Sequence, residues 1–343
     1  MALRDYARMS ETRSQLNPIT LELRIPISPT DNDMRSVRYL LESIQEFGGP
    51  ISRAAHCIVS VGADDLPRDL KKEYPWTADH SVEFRWVDRD RFRLWQYNAT
   101  GFDRFWVESH ADVVALIDAD LLITRNLDKI VQRAHLEQRM LGFMAHVSPF
   151  GFEGLAQTPS DVWWKRYFDE AGLETPNLDW QYSGWGLDWS HYKFARIVSH
   201  DPNHRFGPPY FNYGIIIAPR AYFEQMGETF VEELETVRRV HDGCYRSQIA
   251  NCLAFERYKI PCGKLPINYN FPLNLPGDAI RALNLDPDGE NNFEDIRIFH
   301  YIGARKLFET RQSVQTLLNR TDLTGSWAAF QNKLRIVSQR IKE

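Results

Sequence analysis

The pattern of apolar and polar positions becomes regular near Leu21, after a polar stretch over residues 1–18. Leu21 to Ile27 alternates apolar and polar residues, the period of a strand. A turn-rich loop, Ser28 to Asp33, follows. Val37, Leu40, Leu41 and Ile44 then recur at helical spacing until Gly48-Gly49-Pro50 stops them. His56 to Val61 reads as a second strand and Val82 to Val87 as a third. Tyr97 to Trp106 reads as an aromatic helix or loop. Val113 to Ile117 is an unbroken run of mostly branched apolar residues, as in a strand buried on both faces of a largely parallel sheet. Leu141 to His146 and Phe211 to Pro219 predict further strands, the latter with a polar entry. Val231 to Val240 is helical, and Ser247 to Asn251 falls on the next helix. Leu265 to Phe271 reads as a strand and bend, and a short strand ends at His300. In the tail, Trp327, Phe330, Leu334, Val337 and Ile341 predict an amphipathic helix with Ser326 as its N-cap.

Strands alternating with helices predict an α/β fold: a mixed, mostly parallel central sheet flanked by helices. The apolar run at 113–117 ends in Asp118-Ala119-Asp120. Carboxylates emerging at the carboxyl end of a buried strand stand where open α/β sheets bind ligands. Side chains two positions apart on an extended chain share a face, so both can reach one hard cation such as Mg²⁺ or Mn²⁺. Asp-X-Asp in a solvated surface turn is the competing reading. The β-loop-α-β opening is typical of nucleotide-binding sheets, but it lacks G-x-G-x-x-G and G-x-x-x-x-G-K. The first loop then holds a nucleotide through Thr30, Asp31 and Asn32, or those residues simply cap a helix. Arg104 lies fourteen residues before Asp118. Its planar fork suits either a carboxylate or a diphosphate, and a surface ion pair is the plain alternative.

Composition narrows the class. The chain has 343 residues, of which 43% are hydrophobic and 25% charged, as in an ordinary globular protein. A net charge of −5 disfavours broad nucleic-acid binding. No apolar run is long enough to span a bilayer, and the first residues lack a signal peptide's apolar core, so a cytoplasmic location is expected. Cys57, Cys244, Cys252 and Cys262 have no zinc-type spacing and read as reduced thiols, a Cys252–Cys262 bridge being the alternative. The basic tail helix either packs on its own domain or lies at an anionic inner-membrane surface as a peripheral contact.

A second chemical signal is Ile298-Phe-His-Tyr-Ile-Gly-Ala-Arg-Lys306. His300 can add a third metal ligand, Gly303 permits close approach to a phosphate, and Lys306 offers it a positive charge. Taken with Leu116-Ile-Asp-Ala-Asp120, Phe211-Asn-Tyr-Gly214, Gln248, Asn251 and Asn270, this pattern resembles the GT-A glycosyltransferases. It is most like the retaining group that includes glycogenin and bacterial lipopolysaccharide galactosyltransferases, glycosyltransferase family eight. The resemblance runs from about residue 21 to 308.

It implies a GT-A catalytic domain over 21–308, with 1–20 as an arm and 309–343 as a helical tail. It implies Mn²⁺ or Mg²⁺ on Asp118, Asp120 and His300, bridging the diphosphate of a nucleotide sugar, a UDP-sugar. Gly303 and Lys306 would contact that diphosphate, and Arg104 and Asn212 would help hold the donor. Gln248 would sit by the sugar's β-face as a catalytic residue, beside Asp118 and Asp120. The acceptor would be a glycan, a lipid-linked saccharide or a protein. The irregular, aromatic-rich stretch 148–210 would then be a stacking surface for the acceptor sugar, or else a subdomain with its own packing. The chain departs from the family at Ser247 (usually Asp), Asn251 (displaced by one), Tyr213 (usually small) and Leu307-Phe308 (usually Pro-Trp). These changes bear on the donor sugar, the acceptor and the stereochemical outcome. The competing functions are a sugar nucleotidyltransferase and a non-catalytic carbohydrate-binding protein on the same fold.

Overall fold

Both faces of one central sheet are covered, and that layering sets where ligands can enter. The computed structural model describes residues 18–152, 154–186, 201–243, 245–273, 295–301 and 305–341. The strands are β1 (Leu21–Ile27), β2 (His56–Val61), β3 (Val82–Trp86), β4 (Val113–Ile117), β5 (Leu121–Ile123), β6 (Met140–Met144), β7 (Phe211–Pro219), β8 (Cys262–Lys264), β9 (Phe271–Pro272) and β10 (Ile298–His300). A two-residue ribbon also pairs Trp180–Gln181 with Phe206–Gly207. The helices used below are α1 (Asp31–Phe47), α2 (Tyr97–Trp106), α3 (Ser160–Glu170), α4 (Arg220–Val240), α5 (Arg246–Arg257) and α6 (Gly325–Arg340).

The seven-stranded sheet has the order β8-β6-β7-β4-β1-β2-β3. Its neighbours are parallel except at β7, which runs antiparallel to both β4 and β6. A second sheet, β9-β10-β5, is parallel between β9 and β10 and antiparallel between β10 and β5.

Strand β4 shows why the sequence folds this way. Val113, Ala115 and Ile117 join one core, with α1, the small sheet and α6. Val114 and Leu116 join the other, with α4, α5 and the aromatic insertion. The two-residue period sends alternate side chains to opposite layers, so a strand between two layers must be apolar throughout. Central β1 meets the same demand with polar residues. Glu22 and Arg24 are buried and bonded to each other at 2.7 Å. Arg24 also donates to the carbonyl of Val107, and Ser109 donates to Glu22. The polar phase of its alternation is therefore covered by a hydrogen-bonded network, not wetted.

Three expectations change. The stretch 148–210 contains the helix α3, whose Trp164, Tyr167 and Phe168 are fully buried with Phe150 and Tyr182. Trp163 stacks on Phe150 at 5.6 Å, so among the described residues these aromatics pack on one another and make a local core. Leu265 to Phe271 is a 3₁₀ turn over Ile267–Tyr269 leading into β9, preceded by a strand, β8, that the pattern did not predict. The tail helix starts two residues early, with Thr324 in place of Ser326 at its N-cap. Its Phe330, Leu334 and Val337 are buried in the α1-side core, and Arg340 reaches Glu42 and Glu46 on α1. Three of the five residues of the apolar stripe are thus used inside the protein. Cys57, Cys252 and Cys262 are free thiols, without the 252–262 bridge; Cys244 lies outside the described residues. Among the described residues no helix is long and apolar enough to cross a membrane.

Candidate metal centre and adjoining cavity

The chain leaves the large sheet at Ile117 and enters the small one at Leu121, so Asp118-Ala119-Asp120 bridges the two. Strand β10 runs antiparallel to β5 with His300 opposite Leu121. The Tyr301 N–H donates to the Asp120 carbonyl at 3.1 Å. This pairing brings the imidazole to the acids: His300 Nε2 is 3.2 Å from Asp120 Oδ1 and 4.0 Å from Asp118 Oδ2. One ligand atom from each of the three residues lies within 4.8 Å of the others. Two carboxylates and an imidazole nitrogen so close together suit a divalent cation that accepts oxygen and nitrogen ligands.

A cavity of about 280 Å³ adjoins Asp118 and Asp120. Asn32, Asp33 and Ser36 from the first turns of α1 line one part of it; Asn98, Thr100, Gly101 and Arg104 on α2, with Tyr213 and Ser247, line another. Asn32 Oδ1 is buried with no hydrogen-bond partner among the described residues. An orphaned buried acceptor is costly, and a ligand donor would satisfy it. Arg104 is 1% exposed. Its Nε donates to the Gly101 carbonyl at 3.0 Å, and its guanidinium lies 5.3 Å from the centre of the Tyr213 ring. Burial lowers the Arg104 pKa, and the nearby Asp118 carboxylate opposes that shift. Burial pushes the Tyr213 phenol well above its usual range, so it stays a neutral hydroxyl. His146, at the end of β6, is held down to about 3 by burial and by the neighbouring His300, and so remains neutral.

The structure brings Asp118, Asp120 and His300 together and sets Asn32 and Arg104 on the same cavity. Thr30, Asp31, Asn212 and Gln248 make contacts within the protein. Thr30 is the N-cap of α1, accepting from the Asp33 N–H, and Asp31 accepts from the Tyr74 hydroxyl at 2.6 Å. Asn212 bonds the Gly214 N–H and Asn270. Gln248 Oε1 accepts from the Tyr210 hydroxyl at 2.8 Å, and its Nε2 is 3.4 Å from the Phe211 carbonyl. The neighbouring Ser247 is the one that lines the cavity. Lys306 is exposed on the 3₁₀ turn Arg305–Phe308, and Gly303 lies outside the described residues. Gly214 accommodates the contact between His300 and Asn270. The sequence reading missed Asp33, Ser36, Asn98, Thr100 and Tyr213. A helical period through Asn32 would have found Ser36, four residues on and on the same face.

No family model matches the sequence, and no curated protein does. Solved structures match it. The galactosyltransferase LgtC, in complex with donor and acceptor sugar analogs, aligns over 90% of this chain and 99% of its own, with a TM-score of 0.51 and 12% identity. An active-site mutant of LgtC with glutamate in place of a glutamine gives the same figures. The chain has a GT-A glycosyltransferase fold. Mouse xyloside xylosyltransferase 1 in its apo form aligns over 84% of the chain and 99% of its own, with a TM-score of 0.47 and 10% identity. At such identities the likeness carries the GT-A architecture alone, and each residue's role has to come from the geometry above.

Proposed function

We propose that the protein is a divalent-metal-dependent glycosyltransferase. It takes a sugar from a UDP-sugar or a related nucleotide-diphosphate sugar and joins it, with retention, to a hydroxyl of a glycan, lipid-linked or protein acceptor. The observation that carries this reading is the convergence of Asp118, Asp120 and His300 beside a cavity that also presents Arg104 and Asn32. The GT-A fold it shares with LgtC, crystallised with donor and acceptor sugar analogs, is consistent with it.

A divalent cation on Asp118, Asp120 and His300 supplies the charge that a departing diphosphate needs. Arg104 adds a fixed cation near Asp118, held in place before any substrate arrives. Asn32 Oδ1 accepts from a base N–H or a ribose hydroxyl. Asp33 accepts from the Ser28 N–H, which holds the first loop against the start of α1. Of the carboxylates lining the cavity, Asp118 and Asp120 are committed to the cation and Asp33 to Ser28. Gln248 is a poor nucleophile and is bonded to Tyr210. These facts favour attack by the acceptor on the same face the diphosphate leaves, with the leaving phosphate taking the proton. The anomeric carbon passes through an oxocarbenium-like state, as in other glycosyl transfers.

The test is incubation with Mn²⁺ and a panel of UDP- and GDP-sugars. Release of free nucleoside diphosphate supports the transferase. Pyrophosphate exchange would instead indicate a nucleotidyltransferase, and neither product would indicate a carbohydrate-binding protein. Asp118→Asn and His300→Ala should each abolish metal-dependent release with the fold retained; unchanged turnover in both would refute the assignment.

A further inference from the structure

His300 meets the two aspartates with one ring nitrogen, and the other is held by a relay that begins at the backbone. The Gly214 N–H donates to Asn212 Oδ1 at 2.8 Å. A backbone N–H can only donate, so the oxygen of the Asn212 amide has to face it. Asn270 Nδ2 donates to that same oxygen at 2.9 Å. Turned the other way, the Asn270 amide would set oxygen against oxygen. Asn270 Oδ1 is thereby directed at His300 Nδ1, 2.8 Å away. A carboxamide oxygen only accepts, so Nδ1 carries the proton. The neutral ring then keeps its lone pair on Nε2, the nitrogen that stands beside Asp120 and Asp118. A lone pair facing two carboxylates is repulsive until a cation comes between them. An ordinary His–Asp hydrogen bond would need the opposite tautomer.

The packing holds this arrangement. Asn270 and His300 are 1% and 3% exposed. Asn270 immediately precedes β9, whose parallel pairing with β10 sets Pro272 beside His300. A Cβ on Gly214 would fall 2.5 Å from Asn270 Oδ1 and 2.7 Å from His300 Nδ1, so only glycine leaves room for the contact.

We infer that Asn212 and Asn270 are positioning residues that fix the tautomer of His300 and so make its Nε2 a metal ligand. This rests on the metal-dependent reading above. Both act through the imidazole, and the role given to Asn212 replaces the donor contact that its sequence motif suggested. Outer partners of this type typically change metal affinity about 10–100-fold.

The experiment pairs two readouts on the full chain. Mn²⁺ affinity is measured from the electron paramagnetic resonance signal of the free ion. The ¹⁵N shifts of the His300 ring are measured without metal, at a pH where the ring is neutral. Asn270→Leu should weaken Mn²⁺ binding by about 10–100-fold and move the ring proton towards Nε2, where Asp120 can accept it. Asn212→Asp keeps an accepting oxygen for both partners and should retain most of the affinity, while Asn212→Leu should lose it. If Asn270→Leu does not fold, the Asn212 pair carries the same expectation. Wild-type protein that binds no Mn²⁺ would overturn the metal-dependent reading and this inference with it. Wild-type protein that binds Mn²⁺ with the proton on Nε2 in its metal-free ring, or leucine variants that match its affinity, would overturn the inference alone.

Discussion

His300 Nε2 lies 3.2 Å from Asp120 Oδ1 across 180 residues of chain. The three candidate ligands come from the β4–β5 junction and the end of β10, so a cation held between them would tie distant segments of the folded state together. A ligand that binds only the folded protein stabilises it by about 2.7 kcal/mol at a hundredfold excess over its Kd. Mn²⁺ should therefore raise the Tm of the wild-type protein in a concentration-dependent way. Asp118→Asn and His300→Ala should melt near the metal-free wild type and gain little from Mn²⁺. An equal Mn²⁺ shift in all three proteins would place the ion elsewhere.

Arg104 should matter for both stability and donor binding. Arg104→Met removes the side-chain bond to the Gly101 carbonyl and leaves Asp118 without its neighbouring cation. A hydrogen bond from a charged group contributes about 1.5–3 kcal/mol, and its loss is readable in urea unfolding. Arg104→Lys keeps the charge and loses the planar fork, so its defect should lie mainly in donor KM. Wild-type UDP affinity in Arg104→Met, measured by calorimetry, would remove this side chain from the donor site.

The parts of the fold that could be read from sequence are those decided by local pattern. Val113 to Ile117 is apolar at every position because both of its faces meet a core, and Asp118 and Asp120 mark where that strand ends. The helix α3 carried its own signal, with Trp163, Trp164, Tyr167 and Phe168 at helical spacing after Pro159. Surrounding Gly and Pro residues masked it as an irregular stretch. Choosing between Ser247 and Gln248 was beyond the sequence, because adjacent helical residues point about 100° apart. Only the rotation of α5 about its axis turns Ser247 to the cavity. The Asn212–Asn270 relay depends on how β9 is paired with β10, which nothing local in either segment announces.

The tail helix should prove integral to the domain. Phe330 is fully buried and meets the rings of Phe299, Tyr301 and Trp327 edge-on or tilted. Phe330→Ala removes that packing next to the strand that carries His300. Such truncations cost about 3–5 kcal/mol, a large share of a domain's stability. Denaturant unfolding should show the loss, and a cost below about 1 kcal/mol would mean the helix contributes little to the core.

The same helix is tied to α1 by a group whose charge depends on pH. Glu42 Oε2 accepts from Arg340 Nε at 3.1 Å, and His80 Nε2 stands 3.3 Å from its other oxygen. Burial alone would raise the Glu42 pKa, but the nearby His80 and Arg340 side chains outweigh it, and the net shift is downward from 4.5. A carboxylate with a depressed folded pKa stabilises the protein fully above its unfolded value, and that contribution fades as pH falls through the folded one. The Tm difference between wild type and Glu42→Gln should therefore persist at about pH 5 and narrow below about 4.5 as the wild-type carboxylate is protonated. The partners are partly solvent-exposed, so added salt should shrink the difference at neutral pH. A Tm difference that stays constant from neutral pH into the acid unfolding range would show that this contact does not hold the helix through its charge.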